Sequence, residues 1–215
     1  MIAVDTNNLP AMGTPRGQQA KTDIIRAAME LFGEVGFHGA SLRDIAARAG
    51  MSHPGMLHHF PTKTALLQAV LERRDHEDAT EVQAERDTGR TRLQAMIHLM
   101  ERNSERRPII ELFTALAAEA TSPAHPAHGY FLNRYDQLVT VVEDELVQHQ
   151  QRGQLREGVN PHSAARTIIA VMDGLQLQWL LTTADGSESQ FSMADAFRAH
   201  LNSLLTCGLD CSPQP

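Results

Sequence analysis

The stretch Ser41–Lys63, SLRDIAARAGMSHPGMLHHFPTK, leaves the chain few folds to choose from. Ser41 stands as a helix N-cap, with Asp44 three residues on in an acidic variant of the capping box. Leu42, Ile45, Ala46 and Ala49 recur at helical spacing. Gly50 falls just past them, where the left-handed backbone that closes a helix suits glycine. Ser52 restarts at once as a second N-cap, and Pro54 lies in a first turn that has no use for its missing N–H. Pro61 disfavours helical geometry in the residue before it and so ends the second helix by Phe60. Two short helices across a glycine turn form a helix-turn-helix, which serves to lay its second helix in the DNA major groove.

The rest of the chain agrees with a helical surrounding. Aromatics make up only 5% of 215 residues, while Ala, Leu, Glu, Gln, Arg and Met are plentiful, so the expected class is all-α with about nine helices. Residues 1–17, with Pro10, Gly13 and Pro15, read as a flexible arm whose end brings Arg16 near DNA. A first helix over about Gln18–Glu34 carries Ile24, Ile25, Ala28, Leu31, Phe32 and Val35 on one stripe, and Gly36 stops it. Thr62 caps a fourth helix lined by Leu66, Leu67, Val70 and Leu71. The head is thus 18–75. The run Arg73–Arg90, charged almost throughout, reads as a solvated helix end and loop, the seam to a second helical domain over 76–210. The chain's net charge of −7 argues against a polyanionic partner. Yet residues 16–75 hold eight Lys/Arg against six acids, so a mildly basic head sits on an acidic body.

These residues resemble a known family. A helix ending in ELFxExGF, then SLRDIAxxAGMS, then LxHFPxKxxLL is similar to the N-terminal domain of the tetracycline-repressor (TetR) family of bacterial transcription regulators. The matching positions include Phe32, Gly36, Phe37, Ser41, Ile45, Ala49, Gly50, Ser52, His59, Phe60, Lys63 and Leu66. The resemblance implies an all-helical homodimer whose divergent C-terminal domain often binds a small molecule and thereby releases the DNA. A dimer that sets two such helices in successive major grooves is expected to read a near-palindromic operator. With no signal-peptide pattern and only two cysteines, a cytoplasmic location is expected. Two departures stand out. Pro54 and Gly55 replace the family's usual small pair, and Leu57 replaces a tyrosine that often meets phosphate.

On this reading Lys21, Ser41, Arg43, Ser52, His59 and Lys63 hold the double-stranded DNA, chiefly through its phosphates. His53 and His58 read base edges, Met56 packs on a thymine methyl, and Gly55 lets the backbone approach. Leu57 is assigned to the core. Histidine titrates near ~6.5, so acidification is expected to strengthen phosphate binding.

Beyond residue 91 the apolar periodicity predicts helices over Arg92–Arg106, from Pro108, over Tyr130–Arg152, His162–Thr183 and about Ser192–Leu205. A largely apolar effector is expected among Met96, Met100, Leu112, Phe113, Leu116, Tyr135, Met172 and Gln176, since several methionines suit an adaptable pocket. The helix His162–Thr183 is apolar on more than one face. It and the last helix are expected to pair across a two-fold axis through Ile168, Val171, Leu175, Trp179, Phe197, Leu201 and Leu204.

Other chemistries find little footing. There is no GxSxG, P-loop, HExxH or glycine-rich dinucleotide turn, so no catalysis and no cofactor are expected. His125 and His128 in the loop SPAHPAHG have no third ligand nearby, His149 reads as an exposed helix residue, and the CxxxC of Cys207 and Cys211 lacks a histidine partner. No metal is therefore expected. No apolar run reaches the length of a membrane span. The competing reading is a helical protein–protein adaptor whose DNA head is vestigial.

Overall fold

The computed structural model describes residues 15–184 and 191–209, and among these the chain forms nine helices. Most of the expected arm, the polar turn at Asp185–Glu188 and Cys211 lie outside the described residues. α1 (Pro15–Gly39) runs past both of its expected ends. Ile24, Ala28, Leu31 and Phe32 are buried along its stripe, but Val35 is exposed. Gly36 kinks the segment instead of stopping it, with φ 71° and ψ 177°, a conformation that costs any residue with a Cβ.

α2 (Leu42–Arg48) and α3 (His53–His59) follow, each seven residues long. The caps read from the sequence are in place. Ser41 Oγ accepts from the Asp44 N–H at 3.1 Å and Ser52 Oγ from the Gly55 N–H at 3.2 Å. Gly50, at φ 69°, closes α2 with its N–H on the Ala47 carbonyl, while Met51 N–H reaches Ala46. This paired closure satisfies carbonyls that a short helix otherwise leaves orphaned.

α4 (Lys63–Asp87) corrects the reading of the charged run. The helix does not end near Arg73 but continues to Asp87. Arg73–Glu77 and Gln83–Asp87 contacts at i,i+4 support its exposed side. Arg74 and Asp78 are buried on its inner side, in line with Leu67, Val70 and Leu71.

α5 (Arg92–Asn103), α6 (Arg107–Glu119), α7 (His128–Gln151), α8 (Pro161–Thr182) and α9 (Met193–Leu204) form the body. Thr91 and Gln94 make a full capping box at α5, and Asn160 and Ser192 cap α8 and α9. Two apolar clusters result. One joins α5, α7, α8 and α9 around Leu93, Ile97, Met100, Leu146, Ile168, Phe197 and Leu201. The other is the core of the head, yet it includes Leu112 and Leu116 of α6 and Phe131 of α7. Gly33 explains how α6 comes so close: a Cβ there would stand 3.0 Å from the Leu112 backbone nitrogen. His149, expected to be exposed, is buried with Nδ1 2.9 Å from Gln154 Oε1. Among the described residues no helix is long and apolar enough to cross a membrane.

Candidate nucleic-acid interface and effector cavity

The two short helices present a narrow polar surface. Arg43, Ser41, Ser52, Pro54, Gly55 and His58 are exposed, and His53, Leu57 and His59 are half-buried. The rings of His58 and His59 stand edge to face, 5.7 Å apart. Lys21 and Arg16 are both exposed on α1. Met56 is a correction: its side chain is 0% exposed and sits in the head core, so no thymine methyl can reach it. Met56 and Phe60 are both buried, four residues apart, and together they fix which way α3 faces. Leu57, assigned to the core, is only half-buried beside the reading face.

Lys63 is largely occupied. Its Nζ donates to the carbonyls of Phe37 at 2.7 Å and Ala40 at 2.9 Å, and lies 4.4 Å from the centre of the Phe37 ring. Two of its three donors therefore hold the start of α4 against the end of α1. Arg48, which no sequence motif marked, grips both oxygens of Glu34 at 2.5 and 2.9 Å and ties α2 to α1. That hydrogen bonding holds the Glu34 carboxyl below its usual range.

The head meets the body at the α1 kink. Phe37 donates its backbone N–H to Glu119 Oε2 at 2.8 Å, at the last residue of α6. His125 is buried beside this contact, with Nε2 3.4 Å from the same oxygen but not aligned for a hydrogen bond. Its ring packs edge to face on Phe37 and His38. Burial, and secondarily the neighbouring His38, push the His125 pKa down, against the pull of Glu119.

A cavity of about 410 Å³ lies between α4, α5, α7 and α8. Met96, Met172 and Gln176 line it, as the sequence suggested. The other expected residues do not. Leu112 and Leu116 are sealed in the head core by α1, and Tyr135 is exposed with its hydroxyl on Asp173. Met100 lines a separate pocket of about 490 Å³ with Trp179 and Met193. Phe113 lies behind the wall, covered by the guanidinium groups of Arg74 at 4.1 Å and Arg134 at 4.8 Å. The sequence reading missed the polar lining: Arg74 paired with Asp78, Arg134 paired with Asp75, and Asn103. Tyr130 also donates its hydroxyl to Asp75 at 2.7 Å. Burial, then repulsion from Arg134, pulls the Arg74 pKa down to about 9. The spacing Leu67, Leu71, Arg74, Asp78 extends the apolar stripe of α4 and was the available signal.

The expected dimer residues also divide. Ile168, Trp179, Phe197 and Leu201 are buried within the protomer, because α9 packs on α5 and α8 and uses them for its own core. Val171, Leu175 and Leu204 are half-buried against the same cluster. What α8 turns outward is Ala170, Leu177 at 45% exposure and Leu181 at 70%.

Two family patterns match the chain. The one for bacterial regulatory proteins of the tetR family covers residues 24–70, and the one for the BetI-type transcriptional repressor C-terminal domain covers residues 89–206. The HTH-type transcriptional regulator UidR of Escherichia coli (strain K12) is 26% identical over 195 residues, 88% of this chain and 94% of that protein. The regulator RutR of the same organism is 47% identical over 51 residues, 24% of either chain. A transcriptional regulator from Saccharomonospora viridis, solved in complex with choline, superposes with a TM-score of 0.70 at 22% identity, covering 87% of this chain and 98% of that one. With a matching head, a matching body and the nine-helix architecture between them, the chain belongs to the TetR family of DNA-binding transcriptional regulators.

Proposed function

We propose that the protein is a repressor that sits on a near-palindromic operator as a homodimer and leaves it when a small molecule fills the cavity between α4, α5, α7 and α8. The course of α4 carries this reading. Only three residues separate it from α3, and it brings Arg74, Asp75 and Asp78 into the cavity wall without a break. One rigid element thus touches both sites, which is what a two-state transmission needs.

Base reading falls to Ser52, His53, Gly55 and His58, the accessible residues at the start and outer side of α3. Arg16, Lys21, Ser41, Arg43 and His59 contact phosphate, while Lys63 holds the head together. Protomers pair through the outward side of α8, where Ala170, Gly174, Leu177 and Leu181 leave apolar surface and room for close helix approach. The two α3 helices then enter successive major grooves, about 34–36 Å apart.

The deciding experiment is a genome-wide selection of bound DNA, followed by mobility shift of the selected fragments at several salt concentrations. A near-palindromic site, bound with affinity that falls steeply as salt rises, is expected. Failure to retain any fragment ends the reading and leaves the adaptor alternative.

A further inference from the structure

The cavity between α4 and the body is not a plain apolar slot. Met96, Leu138 and Met172 line part of it. Elsewhere its lining holds four buried polar side chains: Gln176, whose Nε2 meets Met100 Sδ, and Arg74, Asp78 and Asn103, which are 4%, 8% and 1% exposed. The last three differ from Gln176: each keeps one covered polar atom with no hydrogen-bond partner, Nε of Arg74, Oδ1 of Asp78 and Oδ1 of Asn103. The first can only donate and the other two only accept. Such groups retain their desolvation penalty until a partner arrives, so turning them toward an occupant sacrifices little bonding.

Charge and shape narrow the occupant. Arg74 is already paired with Asp78 and Arg134 with Asp75, and Arg92 adds a third guanidinium to the lining. A cation meets this surplus of positive charge. It also finds no free aromatic face, because Phe113 is stacked under Arg74 and Arg134. A carboxylate suits the surplus charge and the Arg74 donor, but it can only accept and so leaves both orphaned oxygens unserved. A hydroxyl group accepts and donates at once, without charge.

We propose that the cavity takes an uncharged molecule with an aliphatic body and a hydroxyl-bearing head, the head accepting from Arg74 and donating to Asp78 and Asn103. This rests on the reading of the cavity as the effector site.

The test compares three probes of one chain length on the purified full-length protein: 1,2-octanediol, octanoate and octyltrimethylammonium. Binding is read by calorimetry and operator release by mobility shift. The diol is expected to bind at least about tenfold more tightly than either charged probe. Asn103→Leu is expected to keep or raise the melting temperature, because it removes an orphaned acceptor, while weakening the diol about fivefold or more and leaving octanoate unchanged. Met172→Trp, which fills the cavity, is expected to abolish binding. Tighter binding of octanoate or of the ammonium probe overturns the proposal, as does no binding by any of the three. A diol that binds but leaves the operator complex intact upholds the cavity chemistry and removes the effector role. A protein that shifts no DNA without any probe removes the repressor reading instead.

Discussion

The backbone N–H of Phe37 and the carboxylate of Glu119 join the DNA head to the last residue of α6 across 2.8 Å. The bond exists because Gly36 breaks the helix one residue earlier and strips the Phe37 N–H of a helical partner. Glu119→Ala leaves that N–H unpaired, and a loss of about 1–3 kcal/mol in urea unfolding is expected. Gly36→Ala acts on the same contact, since its Cβ collides with Glu119 Oε1 and φ is 71° there. The two substitutions together are expected to cost less than their separate costs summed, because each removes one shared bond.

His125 makes this junction sensitive to acid. Its pKa is held below the ordinary 6.5 by burial. The unfolded chain therefore takes up a proton that the folded one resists. The stability tied to this ring is fully present above about 6.5 and is lost as pH falls toward the folded value. Between pH 7 and 5.5 the protein is expected to lose stability more steeply than His125→Phe, by at most about 1.4 kcal/mol per pH unit. Equal slopes in parallel denaturant melts would show that the ring does not titrate there.

For Lys63 the distinction is between holding the fold and holding DNA. Lys63→Ala is expected to cost about 1–3 kcal/mol in stability through the two carbonyl bonds it removes. The slope of log affinity against log salt is expected to stay within about half a unit of the unsubstituted protein, whereas loss of a full phosphate contact lowers it by about one. A drop of a whole unit with unchanged stability reverses the assignment.

Leu181→Glu and Leu177→Glu place charge on outward positions of α8 that the protomer core does not use. Each is expected to yield a folded monomer by light scattering, with helical content intact and operator affinity reduced by at least about tenfold. A dimer that persists in both variants moves the pairing surface elsewhere.

The sequence was most legible where the chain is periodic and capped. Ser41, Gly50, Ser52 and Thr62 all take the terminal roles that their chemistry suggests. It was least legible where a face had to be chosen. α3 has only seven residues, too few for periodicity to decide whether Met56 or Leu57 turns inward. α8 is apolar nearly all round, and pattern alone does not separate the side that α9 covers from the side turned outward. Arg74 and Asp78 were hidden by their neighbours. Counting charges over Arg73–Arg90 describes the run, but only register along α4 shows that these two face inward.

The length of α4 gives the protein a mechanical gain. Its 25 residues rise about 1.5 Å each, so the helix is a rod of roughly 37 Å. A tilt of roughly 5° about one end swings the other through roughly 3 Å. Two heads held to grooves about 34–36 Å apart tolerate little such drift before their registers part. With no interior hinge in α4 to absorb the swing, angular tolerance at Asp78 becomes positional tolerance at Lys63. On the proposed mechanism, the stiffness of this one helix sets how small a displacement at the cavity is felt at the operator.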